Sequence, residues 1–434
     1  MVKIEENKHS TENKIIEELP LPSKAYLYLS QHTGKPSEPV VKTGDVVLVG
    51  QKIADAQGLI SAVLHASVSG KILAIQDWPH PVLGKSKAIV IESDGKDSFV
   101  LSVDPYKQEE IPSLAPEQLR EIIRQAGIVG LGGAAFPTHV KLNPPRPVTD
   151  LIINCAECEP YLTCDYRLMI EKTDEILRGV ELLVKCLGVK NVYIAIEDNK
   201  PEAVKYFKEA IIKAGGSGRE NVKYSMPVLK SYYPQGGEKQ LIKNILNKEV
   251  PSGKLPFDVG VVVHNVATVF AVYNAVYKYK SLYERIVTVT GSCLASPKNL
   301  LVRIGTPIKN LIDYCAPLKK DPAKIVIGGP MMGIAQYTQD VAVTKSTSGV
   351  ILLNKKEARL AKEEFCIRCG ECVRQCPAGL MPCMISLAVT NKDWELAKVY
   401  GVLECIECGL CSFVCPSKRD MVQHMKYAKL MSKR

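Results

Sequence analysis

Two stretches of the chain carry cysteine at an identical spacing, Cys366-x2-Cys369-x2-Cys372-x3-Cys376-Pro377 and Cys405-x2-Cys408-x2-Cys411-x3-Cys415-Pro416. Gaps of two residues let three thiolates wrap one face of an iron–sulfur cubane. The fourth cysteine, followed by proline, heads for the neighbouring cluster. The spacing predicts one [4Fe–4S] cluster on Cys366, Cys369, Cys372 and Cys415, and a second on Cys405, Cys408, Cys411 and Cys376. Gly370 and Gly409 relieve crowding where the backbone turns around the sulfurs. Zinc usually draws its four ligands from two separated C-x2-C pairs, and two complete runs ending in Cys-Pro do not suit it. Cys383 lies outside both runs and reads as a packed or spare thiol, and Met384 to Val399 reads as helix between the runs. The start, MVKIEENKHSTENK, lacks the apolar run of a signal peptide, so fifteen cysteines point to metal ligands rather than disulfides.

Neighbouring clusters pass electrons singly and do no substrate chemistry alone, so something else in the chain must feed them. With 434 residues there is room for two to four domains. The net charge of +10 comes from scattered bases without aromatic interleaving, which argues against nucleic-acid binding. Such a surface suits an acidic partner or an anionic membrane face. The most apolar window, Val259 to Tyr277, approaches membrane-spanning length but carries His264, Asn265, Thr268 and Asn274. It reads as a buried strand and a buried helix, with no transmembrane segment.

The expected fold class is multidomain α/β. Residues 1–22 read as a flexible lead. Residues 23–105 show short strands in two similar halves with turns at Gly44-Asp45 and Ser69-Gly70, resembling the barrel-sandwich hybrid of lipoyl and biotinyl carriers. The modification lysine is missing from the tip, Ala-Gln-Gly-Leu-Ile-Ser, so a packing module is expected. Residues 112–283 alternate helix and strand, implying a Rossmann-like layered domain with a largely parallel sheet. Its expected helices include Ala115 to Ala126, one long helix from Arg167 to Leu187, and Pro201 to Ala214. Residues 284–350 read as a small α+β module, and 354–434 as a helical two-[4Fe–4S] ferredoxin-type domain.

The stretch from Gly127 to Leu142, GIVGLGGAAFPTHVKL, matches G-x-G-x-x-G/A at Gly130, Gly132 and Ala135. The dinucleotide fingerprint must follow a strand, whereas this loop follows a helix. Its glycines still let backbone N–H groups approach an anion, with Lys141 adding charge.

Together with NCAECEPYLTCDYRLM, YPQGGEKQL and VHNVATVF, this loop resembles the flavin-binding domain of the NADH-oxidising subunit of respiratory complex I. Adding the barrel, the module and the cluster tail, nearly the whole chain resembles the C-subunit family of Rnf ion-translocating ferredoxin:NAD+ oxidoreductases. That resemblance makes the module a soluble-ligand-binding β-grasp and the loop a holder of FMN phosphate. It implies FMN contacts from Gly130, Gly132, Gly133, Lys141, Asn154, Glu157, Asn265 and Thr268. It implies NADH contacts from Phe136, Glu159, Glu238, Lys254 and Phe257. The chain departs from the complex I pattern at Leu131, Ala156, Gly237 and His264, and His139 and His264 read as packing or strand-end groups.

The implied protein is a peripheral subunit on the cytoplasmic face of the cell membrane. It exchanges electrons between NAD(H), FMN and the clusters, with an iron–sulfur subunit and membrane subunits as partners. A soluble corrin reductase is similar in the flavin domain and tail but usually lacks the barrel. A third reading is an electron-relay scaffold without NAD binding, and Glu159 and Glu238 weigh against it.

Overall fold

The computed structural model describes residues 2–100, 109–213, 222–358 and 361–432. The barrel's expected end at 105 and the end of the expected helix at Ala214 lie outside them.

The barrel pairs Lys24–Tyr28, Gly84–Ser93, Gly70–His80 and Val46–Val47 in one antiparallel sheet, and Glu38–Pro39, Lys52–Asp55 and Leu64–His65 in another. Leu27, Ile53, Leu64, Ile72 and Ile91 fill the space between the sheets. The tip of the hairpin formed by Gly70–His80 and Gly84–Ser93 points away from this core, toward the α/β domain's cleft.

The α/β domain is built on parallel strands in the order Lys223–Ser225, Asn191–Glu197, Asp150–Asn154, Val261–Asn265. Successive residues of a strand face opposite sides, and both sides are covered. Leu151 and Ile153 join the core beneath the helices Pro116–Gln125, Thr173–Leu187 and Val266–Tyr277, while Ile152 packs with Leu241 and Ile242 of the helix Glu238–Leu246. The run Val259 to Tyr277 therefore divides into a strand and a buried helix, and no helix among the described residues is long and apolar enough to cross a membrane. The long helix expected from Arg167 to Leu187 is two, Cys164–Glu171 and Thr173–Leu187. The break falls at Lys172, where the Thr173 hydroxyl takes the Met169 carbonyl, a local bond that competes with the helical ladder.

The lead is not free. Ile16–Glu18 is an edge strand of the module's six-stranded sheet, parallel to Lys298–Arg303. Lys8 and Thr11 ahead of it are buried, and Asn299 donates to the Thr11 carbonyl at 2.9 Å. Three strand residues are too few to show a periodicity, and their partner lies some 280 residues away. In the tail, the helix expected from Met384 to Val399 is also two, Pro382–Thr390 and Trp394–Val399. Asp393 restarts the second by accepting from the Leu396 amide at 2.9 Å.

One buried lysine joins three domains. Lys345 of the module donates from Nζ to the carbonyls of Val63 in the barrel (2.8 Å) and Gly127 in the α/β domain (2.7 Å). Burial lowers its pKa to about 7. Replacing it with methionine strands two buried carbonyls, at about 1–3 kcal/mol each, so Lys345→Met is expected to melt well below the parent. Between about pH 7 and 10 the unfolded chain holds the lysine proton and the folded chain does not, so this side chain's contribution rises with pH. The gap in melting temperature between parent and variant should therefore widen from pH 7 to 9.

Candidate functional site

A cleft of about 1280 Å³ opens beyond the carboxyl ends of the parallel strands, where Asn154 and Asn265 end their strands. Ligands of open α/β sheets bind at this position. The glycine loop forms one wall and the N-terminus of Glu238–Leu246 another. The module closes a third side with Gly328, Gly329 and the run Thr344, Ser346, Thr347 and Ser348, and the barrel's hairpin tip adds Pro81 and Val82.

Eleven of the residues expected to touch FMN or NADH line this cleft: Gly130, Gly132, Gly133, Phe136, Lys141, Asn154, Glu157, Glu159, Glu238, Asn265 and Thr268. Lys254 and Phe257 do not. Phe257 lies in the 3-10 turn Pro256–Val259 and packs against the main core, while the preceding loop is held at Ser252 and Gly253 by Glu404 of the tail. The barrel tip and the Thr-Lys-Ser-Thr-Ser run were missed because they reach the cleft only through domain packing. The run's hydroxyls carry no ligand spacing that sequence reasoning could have used.

Several of the residues expected to touch a ligand also hold the cleft together. Thr268 is buried and accepts from the Leu131 amide at 2.9 Å, pinning the loop to the helix Val266–Tyr277. Asn265 caps that helix by accepting from Ala267 N–H at 2.9 Å, and its amide donates to Asp165 at 2.7 Å. Asn154 donates to the Gly236 carbonyl and accepts from the Ala156 amide. Glu159 accepts from the amides of Met331 and Met332 and lies 3.1 Å from the Tyr233 hydroxyl, though burial still raises its carboxyl. It thereby ties the module's Gly-Gly-Pro-Met-Met turn to the cleft, and at Gly329 a Cβ would lie 1.9 Å from its carboxylate. Lys141 and Glu238, implied to meet different ligands, form an ion pair across the cleft.

What is left unpaired suits a flavin phosphate and ring. Among the described residues the Gly132 and Gly133 amides have no hydrogen-bond partner, and a Cβ on Gly132 would come within 2.6 Å of the Asn265 side chain. The Thr138 hydroxyl and His264 Nε2 are buried without partners. Burial, then the Lys141 charge, holds His264 far below the usual histidine range, which favours a neutral imidazole on the cleft wall.

The thiols fall into two environments. Cys376, Cys405, Cys408 and Cys411 line a single small apolar pocket. Burial, then neighbouring thiols, pushes Cys408 to about 11 and Cys411 to about 12. Pro377, Ala378, Leu380 and Ile406 line both this pocket and the cleft. Cys366 and Cys369 are exposed, whereas Cys372 and Cys415 are buried. Cys383, left over from the motif, neighbours Cys372.

Residues 2–96 match the RnfC barrel sandwich hybrid domain, 123–274 the Nuo51 FMN-binding domain, 286–335 the SLBB domain and 358–416 a 4Fe-4S dicluster domain. The chain is 45% identical to the C subunit of the proton-translocating ferredoxin:NAD(+) oxidoreductase complex of Clostridium ljungdahlii, covering 98% of this chain and 92% of that one. It is 41% identical to the Na(+)-translocating counterpart of Acetobacterium woodii, over 94% and 90%. A chain of an NAD+-reducing [NiFe]-hydrogenase in the H2-reduced state shares the fold, with a TM-score of 0.53 at 18% identity over 75% of this chain and 64% of that one.

Asn265→Ala removes a helix cap and the partner of Asp165, and is expected to cost about 1 kcal/mol in thermal or denaturant unfolding. Iron content should stay at the parental level, because none of these contacts involves the eight motif cysteines.

Proposed function

The chain belongs to the C-subunit family of ion-translocating ferredoxin:NAD+ oxidoreductase complexes, and from that premise we propose which residues carry its electrons. It is an electron-transfer subunit of such a complex, with FMN and two [4Fe–4S] clusters as cofactors and NAD(H) as substrate. FMN supplies the exchange between a two-electron hydride and single electrons, which no side chain provides.

The chain's own groups bind and orient. The amides of Gly132 and Gly133, with Lys141, hold the phosphate, where fixed dipoles and one cation offset its charge. Asn154 and Glu157 border the ring, and Phe136, Glu159 and Glu238 face the nicotinamide nucleotide. Lys141, now paired with Glu238, would turn to the phosphate, and Glu238 would then be free for ribose hydroxyls. Cys376, Cys405, Cys408 and Cys411 would hold the cluster nearer the flavin, which would supply one-electron exchange. Cys366, Cys369, Cys372 and Cys415 hold the outer one.

The shared wall of Pro377, Ala378, Leu380 and Ile406 supports this order, since these residues border both the cleft and the pocket of the inner thiols. The exposed Cys366 and Cys369 then face the next carrier, an iron–sulfur subunit. We place the chain peripherally on the cytoplasmic face, attached through membrane subunits.

Anaerobically purified protein is expected to show flavin and cluster absorption, with rapid flavin bleaching on NADH addition. Folded, cluster-loaded protein that takes up no FMN would overturn the reading. Lys141→Ala should weaken FMN retention about tenfold or more, the scale of a lost charge-assisted hydrogen bond, with iron content unchanged. Equal FMN occupancy in variant and parent would remove Lys141 from the phosphate site.

A further inference from the structure

Oxidation of NADH to NAD+ deposits two electrons and one proton at the flavin site once the hydride has been taken apart. The electrons leave singly through the thiolate-held clusters. The proton has no such route. In the reverse direction two electrons and one proton must arrive before a hydride can be returned to NAD+. We propose that Asp165, Glu157, Glu197 and Lys200 form a proton path from the floor of the cleft to Glu6 at the surface. This rests on the flavin reading above and deepens it.

The path begins at two carboxylates that line the cleft. The carboxylate oxygens of Asp165 and Glu157 lie within 4.8 Å of each other, together with the Cys164 thiol. Glu157 accepts from the Asp165 amide at 2.9 Å, and its own amide donates to Glu197 Oε2 at 3.1 Å. Glu197 does not line the cleft and is 2% exposed. Lys8, from the N-terminal segment, donates to the Glu157 carbonyl and stands 4.0 Å from its carboxylate. Lys200 is 1% exposed, its amide donates to the Glu197 carbonyl at 3.1 Å, and its Nζ lies 4.6 Å from the Tyr166 ring centroid, where it feels the charges of Glu157, Glu197 and Glu6. The half-buried Glu6 accepts from Asn199 at 2.7 Å and ends the row.

Few charged groups face these carboxyls. Asp165 meets Glu157, Arg285 and Lys8, beside the neutral thiols of Cys155 and Cys164, and Glu197 meets Lys8, Lys200, Glu6 and Glu157, beside Cys158. Four carboxylates, Glu6, Glu157, Asp165 and Glu197, stand against three cations, Lys8, Lys200 and Arg285. Among these groups the carboxylates outnumber the cations, which leaves room for a proton. Nearly all of the row is buried, where an unbalanced charge is costly, so the cluster takes up a proton readily and gives it to whichever end has vacancy. Burial, then the Glu157 charge, raises Asp165. Burial raises Glu197 despite Lys8 and Lys200, and lowers Lys200. These shifts favour neutral forms and easy exchange.

The test uses the intact protein loaded with FMN and clusters. Redox-poised infrared difference spectra across the flavin transition should contain a protonated-carboxyl C=O band that shifts in D2O. The band should be lost or altered in Glu197→Gln and in Asp165→Asn. In stopped flow with a pH-indicator dye and an excess one-electron acceptor, Glu197→Gln should release its proton about tenfold more slowly, with NADH bleaching of the flavin unchanged. Wild-type spectra without any carboxyl band, even should the variants fail to fold, would overturn the path. So would parental proton release and an unaltered band in folded Glu197→Gln. Protein that holds no FMN would remove the flavin reading itself, whereas FMN that bleaches without a carboxyl signal removes the proton path alone.

Discussion

Electron transfer between a cleft and a cluster depends on distance, so the seat of the tail on the α/β domain governs the rest. That seat is polar at its edge and apolar at its centre. Glu404 accepts from Ser252 and Gly253 and pairs with Lys239, while Gln240 reaches the Pro377 carbonyl at 2.6 Å. Inside this rim Tyr233, Leu410 and Cys408 form a small core, and the Tyr233 hydroxyl donates to the Cys408 carbonyl at 2.7 Å. The exposed ion pair adds little by itself. The bonds to Pro377 and from Tyr233 matter more, because they fix backbone directly beside two thiols.

The same helix, Glu238–Leu246, serves both sides of this contact. Its first residue borders the cleft, its next two grip the tail, and Leu241 and Ile242 anchor it to the sheet. A shift of this helix would move the nucleotide wall and the inner thiols together. The module is bound in similarly through Glu159, whose carboxylate holds the Met331 and Met332 amides, and Met331 lies so close to Gly409 that a Cβ there would be 2.7 Å from its carbonyl. Glycine at 409 thus has two reasons: a left-handed backbone, φ 82°, and a neighbour that leaves no space.

Much of this was legible in the chain. Cysteine spacing encodes its chemistry locally, and Cys376, Cys405, Cys408 and Cys411 line one pocket. Strands and helices of the α/β domain followed from period and length. What was not legible was set by distant partners. Nothing in IEE marks an edge strand, because the edge it joins lies at Asn299–Leu301. Lys8 reads as a surface residue until the fold brings Glu157 to it. Thr268 and Asn265 carry the right names for ligand contacts, yet their hydrogen bonds go to the loop and helix that shape the cleft. Residue type alone does not separate a group that touches a ligand from one that holds its container.

The uneven covering of the two thiol sets has a chemical consequence. Cys366 and Cys369 are bare to solvent beside an almost fully exposed Phe365, while Cys408 and Cys411 are enclosed. Dioxygen and peroxide reach thiolate and sulfide only where they can collide with them. Air oxidation of this chain is therefore expected to reach Cys366 and Cys369 before Cys408 and Cys411.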